Sequence, residues 1–326
     1  MTILLDAHAA VGYNRAMTAA ETYVIIGFGW VGQANALALS RMGYGVKYFD
    51  PVEQPRHYQR FARLYDSIEK LSAPLAADSA NTWYIVCVGD RVSEDGVQDI
   101  SSIQGALDSL EGARGGVILR STVLPDLLDR LKFDFYLPEF LHEKRAIEEC
   151  LQPYFFVVGR RGQKTEPSVF AQWRRAARKV FEGTPRGASL IKYLSNLWNA
   201  LRVAFVNEFG DAVRVPESKE AINETAKVID FMFDGHSYLR YGRAFGGHCL
   251  PKDSRAFARW CAENGRDVPL LAGMYGSNER REGLEKQFPL LPEWFSEWDE
   301  WHISGWHALS ELWYSVKKNL FKFLRQ

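Results

Sequence analysis

Long apolar runs are missing from this 326-residue chain. No stretch approaches the roughly 20 consecutive apolar residues that span a bilayer, so the sequence offers no membrane span. An excess of charge of one sign is missing too. Forty Lys and Arg balance forty Asp and Glu, a formal net charge of zero, and a nucleic-acid partner is not expected without a basic footprint. Cysteine is sparse: Cys87, Cys150, Cys249 and Cys261 lie far apart, with no CxxC and no Cys/His ligand spacing. That excludes a disulfide scaffold and a zinc-type cluster, and no metal is expected. The opening MTILLDAHAAVGYNR has only a brief apolar run and no basic n-region, unlike a secretory signal. A reducing, cytoplasmic setting with free thiols is the expectation.

What is present is a globular composition, 47% apolar and 25% charged, in a chain long enough for two domains. The strongest local pattern is TYVIIGFGWVGQANALALSRMGYGVKYFDP. Tyr23 to Ile26 form a β-branched, apolar run suited to a buried parallel strand. Gly27, Phe28, Gly29, Trp30, Val31 and Gly32 follow as a GxGxxG loop, then a helix closed by Gly43, then a second strand ending in Asp50. The order suits a dinucleotide. Gly27 permits the tight turn, Gly29 lets a pyrophosphate approach the backbone, and Gly32 lets helix and strand pack closely. The helix N-terminus attracts phosphate, and Asp50 can accept from ribose hydroxyls. An acid at this position would repel a 2′-phosphate, so NAD is the expected cofactor rather than NADP.

Further strands are expected at residues 83–89, 115–122, 133–139 and 154–160, with helical segments such as ISSIQGALDSL between them. The alternation predicts an α/β fold, an N-terminal Rossmann-like, doubly wound parallel sheet. Functional residues then belong at the carboxyl ends of strands, where Val88–Asp90, Ser121–Thr122 and Pro138–Glu139 fall. From about Thr165 the strand signal fades, and ASLIKYLSNLWNALRVAFVNEFGDAVR reads as a long buried helix. Lys192 and Asn196 share a face of it, while Asn207 and Glu208 read as helix-packing polar groups. The expected division is a NAD-binding domain over residues 1–164, an α-helical central, dimerising domain over 165–284, and a short aromatic-rich helical tail over 285–326.

RAFGGHCLPKDS, Arg243 to Ser254, places a thiol beside two glycines and a Lys-Asp pair. Taken with GFGWVG, EDGVQDIS, STV, LPEFLHEKRAI and IKYLSNLWNALRVAFVNE, it resembles the UDP-glucose/GDP-mannose dehydrogenase family over roughly residues 22 to 280. The resemblance implies a Rossmann domain, a helical centre that forms a homodimer, and oxidation of a nucleotide sugar's CH₂OH to a carboxylate with two NAD. It implies that Cys249 captures the intermediate aldehyde as a thiohemiacetal that is oxidised to a thioester. Lys192 and Asn196 would stabilise the developing oxyanion, Thr122 and Asp253 would hold a water, and Glu139 would assist proton transfer. Phe140, Leu141, His142, Arg240, Phe245, Gly246 and Gly247 would line the sugar nucleotide, and Val88, Ser121 and Glu143 would face the cofactor. UDP-glucose is the substrate this implies first. Cys87, Cys150 and Cys261 read as small buried hydrophobes. Lys252 stands open between a phosphate contact and a salt-bridge partner.

The chain departs from the family in three places. Gly89 and Asp90 stand where a Thr-Pro element is usual, which puts a cofactor-side contact in doubt. The Pro51–Ala80 segment is short, and no Arg-Ile-Gly element is recognisable near FMFDGHSYLRYG. After YGSNERREG only about 40 residues remain, short of the roughly 100 that a C-terminal nucleotide-binding domain needs. Those residues hold five of the ten tryptophans, Trp294, Trp298, Trp301, Trp306 and Trp313. Their helical spacing and basic end suit a helix packed on protein more than one lying on a membrane surface. Two other readings stay open. One is a β-hydroxyacid-type dehydrogenase making a single hydride transfer, which needs no cysteine. The other is a cofactor-bound scaffold without activity.

Overall fold

The computed structural model describes residues 21–142, 145–215, 217–234 and 237–292. Glu143 and the Trp-rich segment 293–326 lie outside the described residues, as do the expectations attached to them. The elements run β1 (Thr22–Ile26), α1 (Trp30–Arg41), β2 (Gly45–Phe49), α2 (Ala62–Tyr65), β3 (Glu69–Lys70), β4 (Thr82–Val86), β5 (Arg91–Val92), β6 (Gln98–Asp99) and α3 (Ser101–Asp108). They continue with β7 (Gly116–Leu119), β8 (Phe135–Tyr136), α4 (Ala146–Leu151), β9 (Phe155–Arg160), α5 (Ser168–Ala176), β10 (Lys179–Gly183), α6 (Pro185–Val213), α7 (Lys219–Phe233), α8 (Cys249–Glu263) and α9 (Pro269–Gln287).

Eight strands form one sheet in the order β10-β9-β8-β7-β4-β1-β2-β3, and β5 pairs with β6 as a separate hairpin. Every pairing within the large sheet is parallel except β8 with β9. Strand side chains alternate between its two faces. Tyr23 and Ile25 join the core beneath α1, α4 and α5, while Val24 and Ile26 join the core that holds α3 and Ala188 of α6. The chain leaves β1 toward β2 on one side and returns to β4 on the other. The order therefore reverses between β1 and β4, which opens a crevice at their carboxyl ends.

The sheet does not stop near residue 164. α5 and β10 follow, and β10 pairs with β9 as the edge strand. Its sequence, KVFEG, is largely exposed, and charged residues along an edge strand hide the apolar run by which a strand is read while guarding the edge against other chains.

α6 carries the helical half. Its 29 residues start at Pro185, and Thr184 Oγ1 accepts the Gly187 N–H at 3.1 Å as an N-cap. α8 and α9 pack against it: Ala200 and Ala204 of α6 close a small core with Phe245 and Met274. Asn207 is buried and bonds the backbone on both sides of the next turn, accepting from Gly242 N (2.9 Å) and donating to Arg243 O (2.6 Å). It is a packing residue, as read from the sequence, and Glu208 is exposed.

Candidate active site

The glycine loop takes the form its spacing predicts. Gly27 has φ 87°, a left-handed conformation that a side chain resists. A Cβ on Gly32 would lie 2.0 Å from Gly27 O, so helix and loop touch backbone to backbone. A Cβ on Gly29 would meet nothing within 4 Å, and Gly29 caps α1 with no side-chain hydrogen bond. Free space thus lies over unpaired helix N–H groups, which is what an anionic pyrophosphate needs. Asp50 ends β2 with its carboxylate nearly buried, accepting from Phe28 N (2.7 Å) and Val52 N (2.9 Å). It orients the loop as well as facing the crevice, and each oxygen keeps a lone pair for a ribose hydroxyl. Trp30 is 43% exposed and stacks on His57, while Phe28 is buried against Tyr48. Ser121 Oγ donates to Val88 O, tying the loops after β4 and β7 together. Val31 sits half-buried in the first turn of α1. These residues fit NAD.

The second half of the site gathers at the first turn of α8. Gly247, with φ 72°, leads into Cys249, which is solvent-accessible. Lys192 of α6 reaches Glu139, beyond β8, at 3.0 Å, with both side chains buried. Glu139 Oε2 accepts from Leu141 N at 2.7 Å. Asn196, one turn along α6, donates to Asp253 Oδ2 at 2.6 Å. Lys252 is buried and bonds Asp253 at 2.5 Å and both oxygens of Asp90 at 2.9 and 3.0 Å. It is a salt-bridge partner. Thr122 is buried beside this group, its carbonyl accepting from Gln98 at 3.0 Å.

Burial alone would raise the Glu139 carboxyl, but Lys192, the Leu141 N–H and Arg120 outweigh it and hold the group below the usual carboxylate range. Burial likewise pulls Lys192 down, and Glu139, Asp253 and the Cys249 thiolate overcome it and hold the ammonium above its ordinary value. Desolvation pushes the Cys249 thiol up, as do Glu139 and Asp253, with Lys192 and Lys252 opposing. The cysteine therefore rests as a thiol that must hand its proton to a base when it attacks. Glu139 is the carboxylate that acts on it most strongly.

The residues expected to line the substrate divide. Gly246 and Gly247 face open space. Phe140 lies under Lys192, whose Nζ is 5.4 Å from the ring centroid, and packs on Phe155. His142 is exposed and held by Glu149 at 2.8 Å, and Leu141 leans on the core under α1. Arg240 is half-buried with Asp230 of α7 in electrostatic reach. Phe245 is 4% exposed, in the α6–α9 core, and its backbone N–H and C=O are both taken by Asn278. Gln98 and Tyr193 complete the site unforeseen. Gln98 stood within EDGVQDIS, and an amide there carries no chemical signature, while Tyr193 reads as one more apolar helix residue.

Residues 186–280 match the family model described as UDP-glucose/GDP-mannose dehydrogenase family, central domain. The chain is 27% identical to the GDP-mannose 6-dehydrogenase of Pseudomonas aeruginosa over 315 residues, which cover 82% of this chain and 70% of that protein. It is 26% identical to the UDP-glucose 6-dehydrogenase of Rickettsia typhi over 295 residues, 79% of this chain and 67% of that one. Against a GDP-mannose 6-dehydrogenase of Pseudomonas putida, at 28% identity, the match spans about half of the relative's length (52%). Among solved structures, a UDP-glucose dehydrogenase from the archaeon Pyrobaculum islandicum has the same fold, with a TM-score of 0.70 at 23% identity over 82% of this chain and 70% of that one. A ternary complex of GDP-mannose dehydrogenase from Pseudomonas aeruginosa gives a TM-score of 0.53 at 25% identity, over 79% and 68%. Residues 186–280 thus match that family's central domain, and the fold around them is the one seen in the solved nucleotide-sugar dehydrogenases.

Proposed function

We infer that the protein is an NAD-dependent nucleotide-sugar 6-dehydrogenase, with UDP-glucose, going to UDP-glucuronate, as its first candidate substrate. The observation that carries the reading is the meeting of Cys249 with two buried polar pairs, Lys192–Glu139 and Asn196–Asp253, at the edge of a dinucleotide crevice. NAD would be held by Gly27, Gly29 and Gly32, by the N-terminus of α1 and by Asp50, with Val88 and Ser121 beside it. Bound there, it would take hydride from the sugar carbon, once per molecule.

The chain's own groups supply the rest. The Cys249 sulfur adds to the C6 aldehyde carbon and its proton passes to the Glu139 carboxylate, giving a thiohemiacetal that cannot diffuse away. Lys192 faces the oxygen on which charge develops and Asn196 helps to orient it; such fixed donors act strongly in a water-poor site. After the second oxidation the adduct is a thioester. A water held by Thr122 and Asp253 adds to its carbonyl, the C–S bond breaks, and carboxylate and thiol are released. Glu139, ionised at rest, takes the thiol's proton in the addition step and returns it to the sulfur when the C–S bond breaks.

The partner proposed for α6 is a second copy of this chain. Leu194 (68% exposed), Trp198, Phe205, Phe209 and Val213 form one stripe along this 29-residue helix. An exposed apolar stripe of this kind marks an interface.

A screen of nucleotide sugars for NADH production tests the activity, with two NADH per sugar expected. Cys249→Ser should trap the sugar as an ester adduct visible by intact mass, since an ester hydrolyses far less readily than a thioester. One NADH per sugar with normal turnover by Cys249→Ala would favour the β-hydroxyacid reading. No turnover with NAD still bound would favour the scaffold.

A further inference from the structure

Asp90, which stands where the family usually has its Thr-Pro element, is the hub of a buried polar network. Its two oxygens accept from Lys252 Nζ at 2.9 and 3.0 Å, and Oδ2 also accepts from Gln98 Nε2 at 2.6 Å. The remaining short contact of Lys252 is Asp253 Oδ1 at 2.5 Å. An ammonium has three protons, so all of them are taken inside the protein and Lys252 keeps none for a phosphate. Gln98 passes the connection on: it donates to Thr122 O (3.0 Å), accepts from Leu124 N (2.8 Å) and lies 3.3 Å from the Tyr193 hydroxyl. Asp253 closes the circuit through Asn196 at 2.6 Å. The hairpin of β5 and β6 also touches α8 directly, since a Cβ on Gly96 would sit 2.7 Å from Arg255 O.

We propose that Asp90 is a positioning residue: through Lys252 and Gln98 it locks the first turn of α8, with Cys249 and Asp253, in register with Thr122 and the nucleotide-binding sheet. The proposal rests on the dehydrogenase reading for its kinetic consequence but not for its geometry. A carboxylate in the turn between β4 and β5 thereby does a task in this chain that a backbone-shaping Thr-Pro cannot do. An ion pair serving stability alone would leave the reactivity of Cys249 unchanged once the fold is secured.

The test compares the full chain with Asp90→Ala and with Asp90→Ala/Lys252→Met. Three quantities are read: iodoacetamide alkylation of Cys249 resolved by peptide mass, kcat and KM with NAD and the sugar found in the screen, and melting temperature. In Asp90→Ala, alkylation of Cys249 should quicken about threefold or more, as the turn loosens and Lys252, left with Asp253 as its one counter-ion, favours the thiolate. The kcat should fall about tenfold to a hundredfold, more than KM changes, as expected for a misplaced reacting group. The double variant removes the ammonium that has lost one of its two carboxylates, so its melting temperature should recover in part while alkylation stays fast and kcat stays low. Recovery of all three together would overturn the proposal, as would an Asp90→Ala protein with wild-type alkylation and kcat. If Asp90→Ala does not fold, the double variant decides the matter. A wild type that oxidises no nucleotide sugar would sink the dehydrogenase reading, and the alkylation rates would still judge the lock.

Discussion

Lys192→Met should destabilise the protein in a way that depends on pH. The mutation strands Glu139, which is buried and keeps only the Leu141 N–H at 2.7 Å once the 3.0 Å contact to Lys192 is gone. Removing one partner of a buried pair costs about 3–5 kcal/mol. The carboxylate can escape that cost by taking a proton, so the loss shrinks as pH falls. In the wild type, Glu139 is held low, so its contribution is present above the ordinary carboxylate range and is lost as pH falls through its folded value. Lys192 is held high, so its contribution is present below the ordinary lysine range and lost as pH rises through its folded value. The variant should therefore lose about 6–20 °C in melting temperature at pH 8, taking about 2–4 °C per kcal/mol for a chain near this size. At pH 5, where the stranded acid takes up a proton more readily, it should lose less. Lys192→Met/Glu139→Gln should regain most of the loss at pH 8 without regaining activity. Thermal melts at the two pH values decide it. Equal losses at pH 5 and pH 8, or a double variant no better than the single one, would refute the reasoning.

Three further outcomes are expected. Gly29→Ala should melt within about 1–2 °C of wild type, since its Cβ meets nothing, yet bind NAD at least tenfold more weakly by calorimetry; Gly32→Ala, aimed at Gly27 O from 2.0 Å, should lose stability and binding together. Alkylation of Cys249 should rise with pH to a midpoint above the ordinary thiol value of about 8.5, and Glu139→Gln should move that midpoint down, because desolvation and then Glu139 hold the thiol up; an unmoved midpoint would remove Glu139 from the sulfur's surroundings. Trp198→Glu on the exposed stripe of α6 should turn a dimer into a monomer in sedimentation at micromolar concentration, and a wild type already monomeric there would end the second-copy proposal.

The parallel-sheet half was legible because its signals are local. A β-branched run, three glycines at fixed spacing and an acid after the next strand each constrain their own few residues, and β1, α1 and Asp50 lie where that pattern puts them. β4, β7, β8 and β9 were legible for the same reason, as buried apolar segments. β10 was not, because an edge strand with Lys179 and Glu182 carries no apolar run. In the site, Lys192 and Asn196 could be placed on one face by helix period alone, and Cys249 by its motif. Phe245 could not be placed from sequence, since an aromatic beside two glycines looks the same whether it faces a ligand or packs, as here, in the α6–α9 core.

By itself, the sequence determined which groups are present: a thiol next to flexible backbone, two lysines, three acids and an anion-binding helix start. It could not determine their partners. That Lys192 takes Glu139 while Lys252 takes Asp90 and Asp253 follows from how α6 and α8 cross the end of the sheet, which brings residues 53 and 162 positions apart within 3 Å. Hydrogen bonds and ion pairs between elements depend on distances of a few tenths of an ångström, set by the packing of whole helices. For the same reason the spare protons of Lys252, and with them its role, were decided only by the tertiary structure.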